Sequence, residues 1–297
     1  MACTFANSVH IDVAHRARPD KRSPHMETFR LVTLNILGMS EPIERRIELI
    51  GAGLSELSPD VVALQEVCEQ EGRIRNQSAA LGERLGLHQV WARAKTNGEQ
   101  LQEGLAILSR YPILEHRVWP LSSEEGGRIV QEAVLDSPAG PLGIFNTHLD
   151  YQPESMIREK QVLELTDIVR RQPRELPSLI TGDFNATPEH DEIRFLRGRH
   201  TIAGRRAYFH DAYARVHPFD ELSGETWAKR NPMTRRWRWL ESDRRIDFIF
   251  VTAIESNGRG EVRACRVVLD QPDDSGQFPS DHFGVVADIQ LKPSPIG

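Results

Sequence analysis

The feature that most constrains this chain is a series of short apolar runs of strand length, interspersed with helical patterns and unbroken by any linker. "FRLVTLNIL" (29–37), "PDVVALQEV" (59–67), "EGLAILSR" (103–110), "IVQEAVLDS" (129–137) and "PLGIFNTHLD" (141–150) read as strands. So do "PSLITGDFN" (177–185), "RRIDFIFV" (244–251), "VRACRVVLD" (262–270) and "GVVADIQL" (284–291). Three stretches have helical spacing instead. Residues 42–57 place apolar side chains at 43, 47, 50, 54 and 57, residues 76–86 look similar, and residues 155–172 place them at 156, 157, 162, 163, 165, 168 and 169. Strands and helices mix without the strict alternation of a doubly wound sheet. The expected fold class is therefore α/β, two packed sheets covered by helices.

With 297 residues the chain can bury a large core as one unit. No internal repeat, low-complexity tract or dividing linker appears. Residues 1–27 lack a clean period and read as a poorly ordered leader, followed by a single domain over 28–297. Met26 directly precedes the first strand and is a candidate start. Lys plus Arg is 37 and Asp plus Glu is 43, a formal charge of −6, so bulk charge gives no sign of a non-specific nucleic-acid binder. A local basic groove remains compatible with it. The three cysteines, Cys3, Cys68 and Cys265, are too few and too scattered for a disulfide framework or a cysteine metal site. No apolar run approaches the roughly 18 residues of a membrane span, and no secretory h-region is present. A cytoplasmic location is the expectation.

Polar residues sit where they cost most. Asn35 interrupts "TLNIL", Glu66 ends "VVALQEV", and His148 and Asp150 end "IFNTHLD". Asp183 and Asn185 end "LITGDFN", Asp247 lies in "RIDFIFV", and Asp281 and His282 precede the last strand in "PSDHFGVV". Each has an ordinary explanation alone. "GDFN" can be an Asx turn, and a single histidine beside a strand is commonly a packed one. Jointly they are harder to dismiss, because buried acids are costly unless paired or metal-bound. Strand ends of packed sheets converge on one rim, so these groups can share a pocket.

The order and wording of Asn35, "QE", "THL", "GDFN", "RIDFIF" and "SDH" resemble the endonuclease/exonuclease/phosphatase superfamily over residues 29–291. Its members include pancreatic-type deoxyribonuclease, bacterial sphingomyelinases, poly(A) deadenylases and inositol polyphosphate phosphatases. The resemblance implies a four-layer α/β sandwich, two mixed sheets face to face with helices outside. It also implies a Mg²⁺-dependent phosphoric ester hydrolase, with Mn²⁺ as a substitute. Glu66 would be the main metal ligand, with Asn35 and Asp281 nearby. Mg²⁺ takes oxygen ligands and keeps several waters, so few protein ligands suffice. Asp183 resembles the residue that orients or deprotonates the attacking water, and Asn185 one that donates to a phosphate oxygen. His282 would contact the phosphate and Asp247 would fix its tautomer. His148 would stand near the leaving oxygen, with Glu103 matching a carboxylate that pairs with it in some members.

Departures narrow the branch. "NTHLD" stands where abasic-site endonucleases carry a tyrosine segment, and the "PAW…DR" wording of inositol polyphosphate phosphatases is missing. No secretion signal suits a bacterial sphingomyelinase, and leucine-rich repeats are absent. The segment "ETWAKRNPMTRRWRWLESDRRIDF" (225–248) is unusual. Its Arg235, Arg236 and Arg238, with Trp227, Trp237 and Trp239, can grip phosphate and stack a base or sugar. The same wording also fits a strand with Trp237 and Trp239 packed on one side and the arginines solvated on the other. Arg128 in "GGRIVQEA" can reach a substrate phosphate or simply lie on a strand edge, and Arg158 and Gln161 can simply cap and solvate their helix. Three functions stay open: a phosphoesterase acting on a small or lipid-like ester, a nuclease acting on DNA or RNA, and a silent binding module. The intact acids and histidines disfavour the last. Oligomeric state is open.

Overall fold

Side chains alternate across a strand, so every second residue of a sandwich sheet faces the opposite sheet and the rest face the covering helices. A computed structural model, described over residues 28–152, 155–171, 175–234 and 242–292, has this plan. The expected leader with Met26, and Trp237 with its neighbours Arg235, Arg236, Arg238 and Trp239, lie outside the described residues. In chain order the elements are β1 (Thr28–Asn35), α1 (Ile43–Leu57), β2 (Val61–Glu69), α2 (Gln77–Leu85), β3 (His88–Asn97), β4 (Leu101–Ser109), β5 (Ile113–Pro120), β6 (Ile129–Ser137) and β7 (Gly140–His148). They continue with α3 (Ser155–Arg170), β8 (Leu179–Asp183), α4 (Asp191–Leu196), β9 (His210–Asp211), α5 (Ala212–Val216), β10 (Asp247–Val251), β11 (Val262–Val268) and β12 (Gly284–Gln290).

The strands form two six-stranded mixed sheets, ordered β11-β12-β1-β2-β4-β3 and β5-β6-β7-β8-β10-β9. Each has a central parallel pair, β1 with β2 and β7 with β8, flanked by antiparallel neighbours. A parallel pair needs a crossover, which α1 and α3 supply. Three apolar layers follow from the alternation. Phe29, Leu31, Val61 and Ile107 of the first sheet meet Leu142, Ile144, Leu179 and Ile249 of the second. Val32, Leu34, Val62 and Leu64 pack outward on Ile50 and Leu54 of α1 and Leu81 of α2. Phe145, Ile180, Phe248 and Phe250 pack outward on Val162 and Leu165 of α3 and Ile193 of α4. This is the four-layer sandwich.

The inter-sheet layer is not apolar throughout. Along β1 the inward positions run Phe29, Leu31, Thr33, Asn35, and along β2 they run Val61, Ala63, Gln65. Along β7 they run Leu142, Ile144, Asn146, His148, and along β8 Leu179, Thr181, Asp183. The antiparallel β10 reverses the order, Asp247, Ile249, Val251. Each strand thus has one apolar end and one end on an amide or an ionisable side chain, and all turn polar toward the same rim. The aliphatic end holds the sheets together, each buried Leu, Ile or Phe contributing roughly 1.5–3 kcal/mol. The polar end leaves a cleft.

Nine strands and three helices have the positions expected from patterning, within a few residues. β3, β5 and β9 carry no clean apolar run, and each lies at a sheet edge. No helix among the described residues is long and apolar enough to cross a membrane.

Candidate active site

The last inward positions of β1, β7 and β8 and the first of β10 meet at the polar rim. Asn35 sits between two acids. Its Nδ2 donates to Glu66 Oε1 at 2.9 Å and to Asp183 Oδ2 at 3.1 Å, while its Oδ1 accepts from the Leu37 amide at 3.0 Å. The amide therefore ties a first-sheet carboxylate to a second-sheet one.

Glu66 reaches that point through a break in β2. Leu64 pairs with Ala106 and Val67 with Gly104, so Gln65 and Glu66 together oppose Leu105. Such a bulge re-aims a side chain. Glu66 has φ of +57°, a left-handed conformation costly for any residue with a Cβ. Backbone partners on the β1 side hold it there: Ile36 N donates to Gln65 O at 3.0 Å and Gly38 N to Glu66 O at 3.1 Å. A Cβ on Gly38 would lie 2.1 Å from Glu66 O, so only glycine permits this approach. Burial, then the neighbouring Asp281 and Glu103 carboxylates, push the Glu66 carboxyl up to about 7, against the opposing pull of Asn35 and His282. A corner of crowded, mutually repelling carboxylates fits a hard divalent cation. Glu66 and Asp281, with Asn35 beside them, are the side chains that would hold one.

Asp183 combines both readings of "GDFN". Its Oδ1 accepts from the Asn185 amide at 2.9 Å, an Asx turn that places Asn185 at φ of +48°. Its Oδ2 faces inward, 3.4 Å from His148 Nε2 and 3.7 Å from His282 Nε2. Asn185 Nδ2 lies 3.1 Å from His148 Nε2 and also donates to Leu149 O at 3.1 Å. The strand pair can bring these groups together because position 182 is glycine. Its φ is +144°, and a Cβ there would lie 1.9 Å from Thr147 O.

The two histidines differ in charge, one neutral and one cationic. Burial, with Arg128 and His282 nearby, drives the His148 imidazolium well below its ordinary range, so His148 is neutral, and in the tautomer protonated at Nδ1 its Nε2 accepts from Asn185. Burial also disfavours charge on His282, but Asp247 and Asp183 outweigh it and raise the group well above its ordinary value. His282 Nδ1 donates to Asp247 Oδ2 at 2.9 Å. Burial, with Asp247 close by, raises Asp183, while His282, the Asn185 amide and Asn35 counter it. One oxygen of Asp183, one of Asp247 and a nitrogen of His282 lie within 4.8 Å of one another. The His282 imidazolium offsets part of the negative charge of that trio, whereas the carboxylates nearest Glu66, those of Asp281 and Glu103, only add to the repulsion there.

Several residues without a motif hold these groups. Thr226 Oγ1 accepts from the amides of Ile246 and Asp247, and the backbone of Trp227 bridges both Arg244 and His282. The fully buried Arg46 donates to the carbonyls of Ile36, Leu37, Ser40 and Pro279, and Asn231 Nδ2 donates to those of Ser280 and Asp281. The loop carrying Asp281 and His282 is therefore held carbonyl by carbonyl. Arg46 could have been noticed as a cation on the apolar face of α1, and Thr226 and Asn231 carry no comparable signal.

Glu103 lines the cleft with Glu66, Arg128 and His148. Its oxygens are taken by Lys95 Nζ at 3.1 Å and Asn97 Nδ2 at 3.3 Å, so the expected pairing with His148 is replaced by partners on β3. Arg128 is 9 % exposed, with Nη1 3.5 Å from His148 O and its guanidinium 5.8 Å from the ring of exposed Tyr151. Trp227 is 3 % exposed beneath the Arg244 guanidinium, 4.8 Å from the ring centre. That is the placement of a packing residue, and the indole has no free face for the expected substrate contact. Arg158 and Gln161 are buried rather than solvated. Arg158 pairs with Glu192 at 2.8 Å, Gln161 Oε1 accepts from the Asp150 amide at 2.9 Å, and its Nε2 donates to Ser122 O at 2.7 Å.

Comparison with known proteins finds the same fold elsewhere. An uncharacterized protein of Caenorhabditis elegans is 24% identical over 307 aligned positions, covering 87% of this chain and 90% of its own. The crystal structure of an endonuclease/exonuclease/phosphatase from Beutenbergia cavernae superposes with a TM-score of 0.69 at 24% identity, over 91% of this chain and 73% of that one. D. rerio TDP2 complexed with single strand DNA product superposes with a TM-score of 0.71 at 19% identity, over 88% and 98% of the two chains. The sequence model of the Endonuclease/Exonuclease/phosphatase family matches residues 32–282. The chain belongs to the endonuclease/exonuclease/phosphatase family and is a metal-dependent phosphoric ester hydrolase.

Proposed function

We propose that the cleft hydrolyses a phosphate ester by attack of a water held at Asp183 Oδ2, with Mg²⁺ bound at Glu66, Asp281 and Asn35. When bound there, the cation supplies charge neutralisation for the phosphoryl oxygens. The observation that carries this reading is the position of Asp183 Oδ2, between a neutral and a charged imidazole and beside Asn35. Asp183 orients the water and takes its proton, a role suited to a carboxylate raised by burial. His282, kept cationic by Asp247, faces developing negative charge on phosphorus-bound oxygen. Asn185 donates to a phosphate oxygen on turning from His148, and neutral His148 holds the leaving-oxygen side.

The leading substrate is a small or lipid-like phosphate mono- or diester. Nucleic acid is the second reading, favoured by the fold shared with TDP2, whose structure holds a single strand DNA product, and by the Arg128–Tyr151 pair at the rim. A panel of nucleotides, sugar phosphates, phospholipid head groups and nucleic acids, offered to Mg²⁺-loaded protein, separates them. Turnover of small esters with a shallow salt dependence supports the first. Cleavage of DNA or RNA that falls steeply with salt supports the second, because several phosphate contacts release several counterions.

A further inference from the structure

Below the ionisable rim lies a layer of buried amides that spans the two sheets. Asn146 of β7 and Gln65 of β2 are both fully buried. Gln65 Nε2 donates to Asn146 Oδ1 at 2.8 Å and to Thr33 Oγ1 at 3.1 Å. Asn146 Nδ2 donates to two first-sheet carbonyls, Leu64 O at 3.0 Å and Ala106 O at 3.2 Å. Those carbonyls belong to the last regular pair before the β2–β4 ladder breaks at Gln65 and Glu66. A second-sheet side chain therefore uses both amide hydrogens on the mouth of the first-sheet bulge, and its oxygen on the first bulged residue.

We propose that Asn146 is a positioning residue for the metal carboxylate Glu66. It acts across the sandwich by holding open the bulge that turns Glu66 into the cleft. The proposal rests on the reading of Glu66 as the metal ligand. A bulged residue at φ of +57° persists only where its surroundings over-determine it. The β1 backbone fixes one side through Ile36 and Gly38, and Asn146 fixes the other. Without its two donors, pairing can close past Leu64–Ala106, and Glu66 then swings away from Asn35. Asn146 also shares the inward face of β7 with His148, two residues on, so one strand supports both the metal corner and the leaving-group side.

Mn²⁺ binding to the full chain, followed by electron paramagnetic resonance, tests this alongside thermal melting. Asn146→Leu, of the same branched shape but without donors, is expected to weaken Mn²⁺ binding by about 10–100-fold, the range for losing support behind a metal ligand. Asn146→Thr, which suits a strand and keeps one donor, is expected to fall between Leu and wild type and serves if the leucine variant does not fold. Leu142→Ala, on the same strand at the aliphatic end, lowers the melting temperature without touching the bulge and is expected to keep wild-type affinity. Glu66→Gln is expected to abolish specific binding. Wild-type affinity in Asn146→Leu or Asn146→Thr with binding lost in Glu66→Gln overturns the proposal alone, as does an equal loss in Leu142→Ala. Wild-type affinity in Glu66→Gln overturns the metal assignment beneath it.

Discussion

Glu66 in the metal-free protein competes for a proton that a cation must displace. Its carboxyl is pushed up to about 7 by burial and by Asp281 and Glu103, so below that pH it is largely protonated. Mg²⁺ affinity is therefore expected to fall about tenfold per pH unit below pH 7, with proton release visible when calorimetric titrations are repeated in buffers of different ionisation enthalpy. The sign for stability follows from linkage. A carboxyl raised in the folded state contributes stability while it is neutral, and that contribution is lost as pH rises through about 7. Mg²⁺ should accordingly raise the melting temperature more at pH 8 than at pH 6. Glu66→Gln keeps an acceptor for Asn35 and removes the repulsion, so at pH 8 its metal-free melting point is expected above wild type, with no Mg²⁺ shift. A lower melting point there would contradict the repulsion. Asp183→Asn is expected to cut kcat by about 10²–10⁴-fold, the range for a positioned base, and to leave Mn²⁺ affinity within a few-fold. The ionisable residues were legible because each interrupts an apolar run. Gln65 and Asn146 were not, because an amide beside a catalytic residue looks like part of its motif.

Among elements, visibility in sequence tracked burial. α1, α3 and the central strands show their period because one or both faces are apolar. β3, with "HQVWARAKTN", and β5 sit at sheet edges, half exposed, and their composition reflects solvent more than neighbours. The bulge in β2 could not be read at all, since nothing in "LQEV" specifies where pairing with β4 breaks. The β7–β8 contact yields a sharp prediction. Gly182→Ala puts a methyl carbon 1.9 Å from Thr147 O at a φ of +144°. Strain of that kind costs about 1–3 kcal/mol before any clash, and the strands must separate just where His148 faces Asp183. A large fall in melting temperature with loss of turnover is expected from calorimetry and assay together. A variant that melts like wild type would mean that the strands are farther apart than described.

At the scale of the molecule, two sheets of like topology bring their polar ends to one rim, so the first supplies Asn35, Glu66, Asp281 and His282 and the second His148, Asp183, Asn185 and Asp247. The net charge of −6 gives no long-range attraction for a polyanion. The two-sheet plan was legible from strand count and the absence of alternation. Which side chains face each other across the sandwich was not, because that depends on register. Hydrolysis of bis(p-nitrophenyl) phosphate by wild type and Asp183→Asn, measured in EDTA and again after Mg²⁺ is restored, tests the roles of the metal and of Asp183 most directly. Turnover that disappears in EDTA and returns with Mg²⁺ only in wild type is the predicted result. Turnover that survives exhaustive chelation, or that Asp183→Asn supports at the wild-type rate, would contradict it.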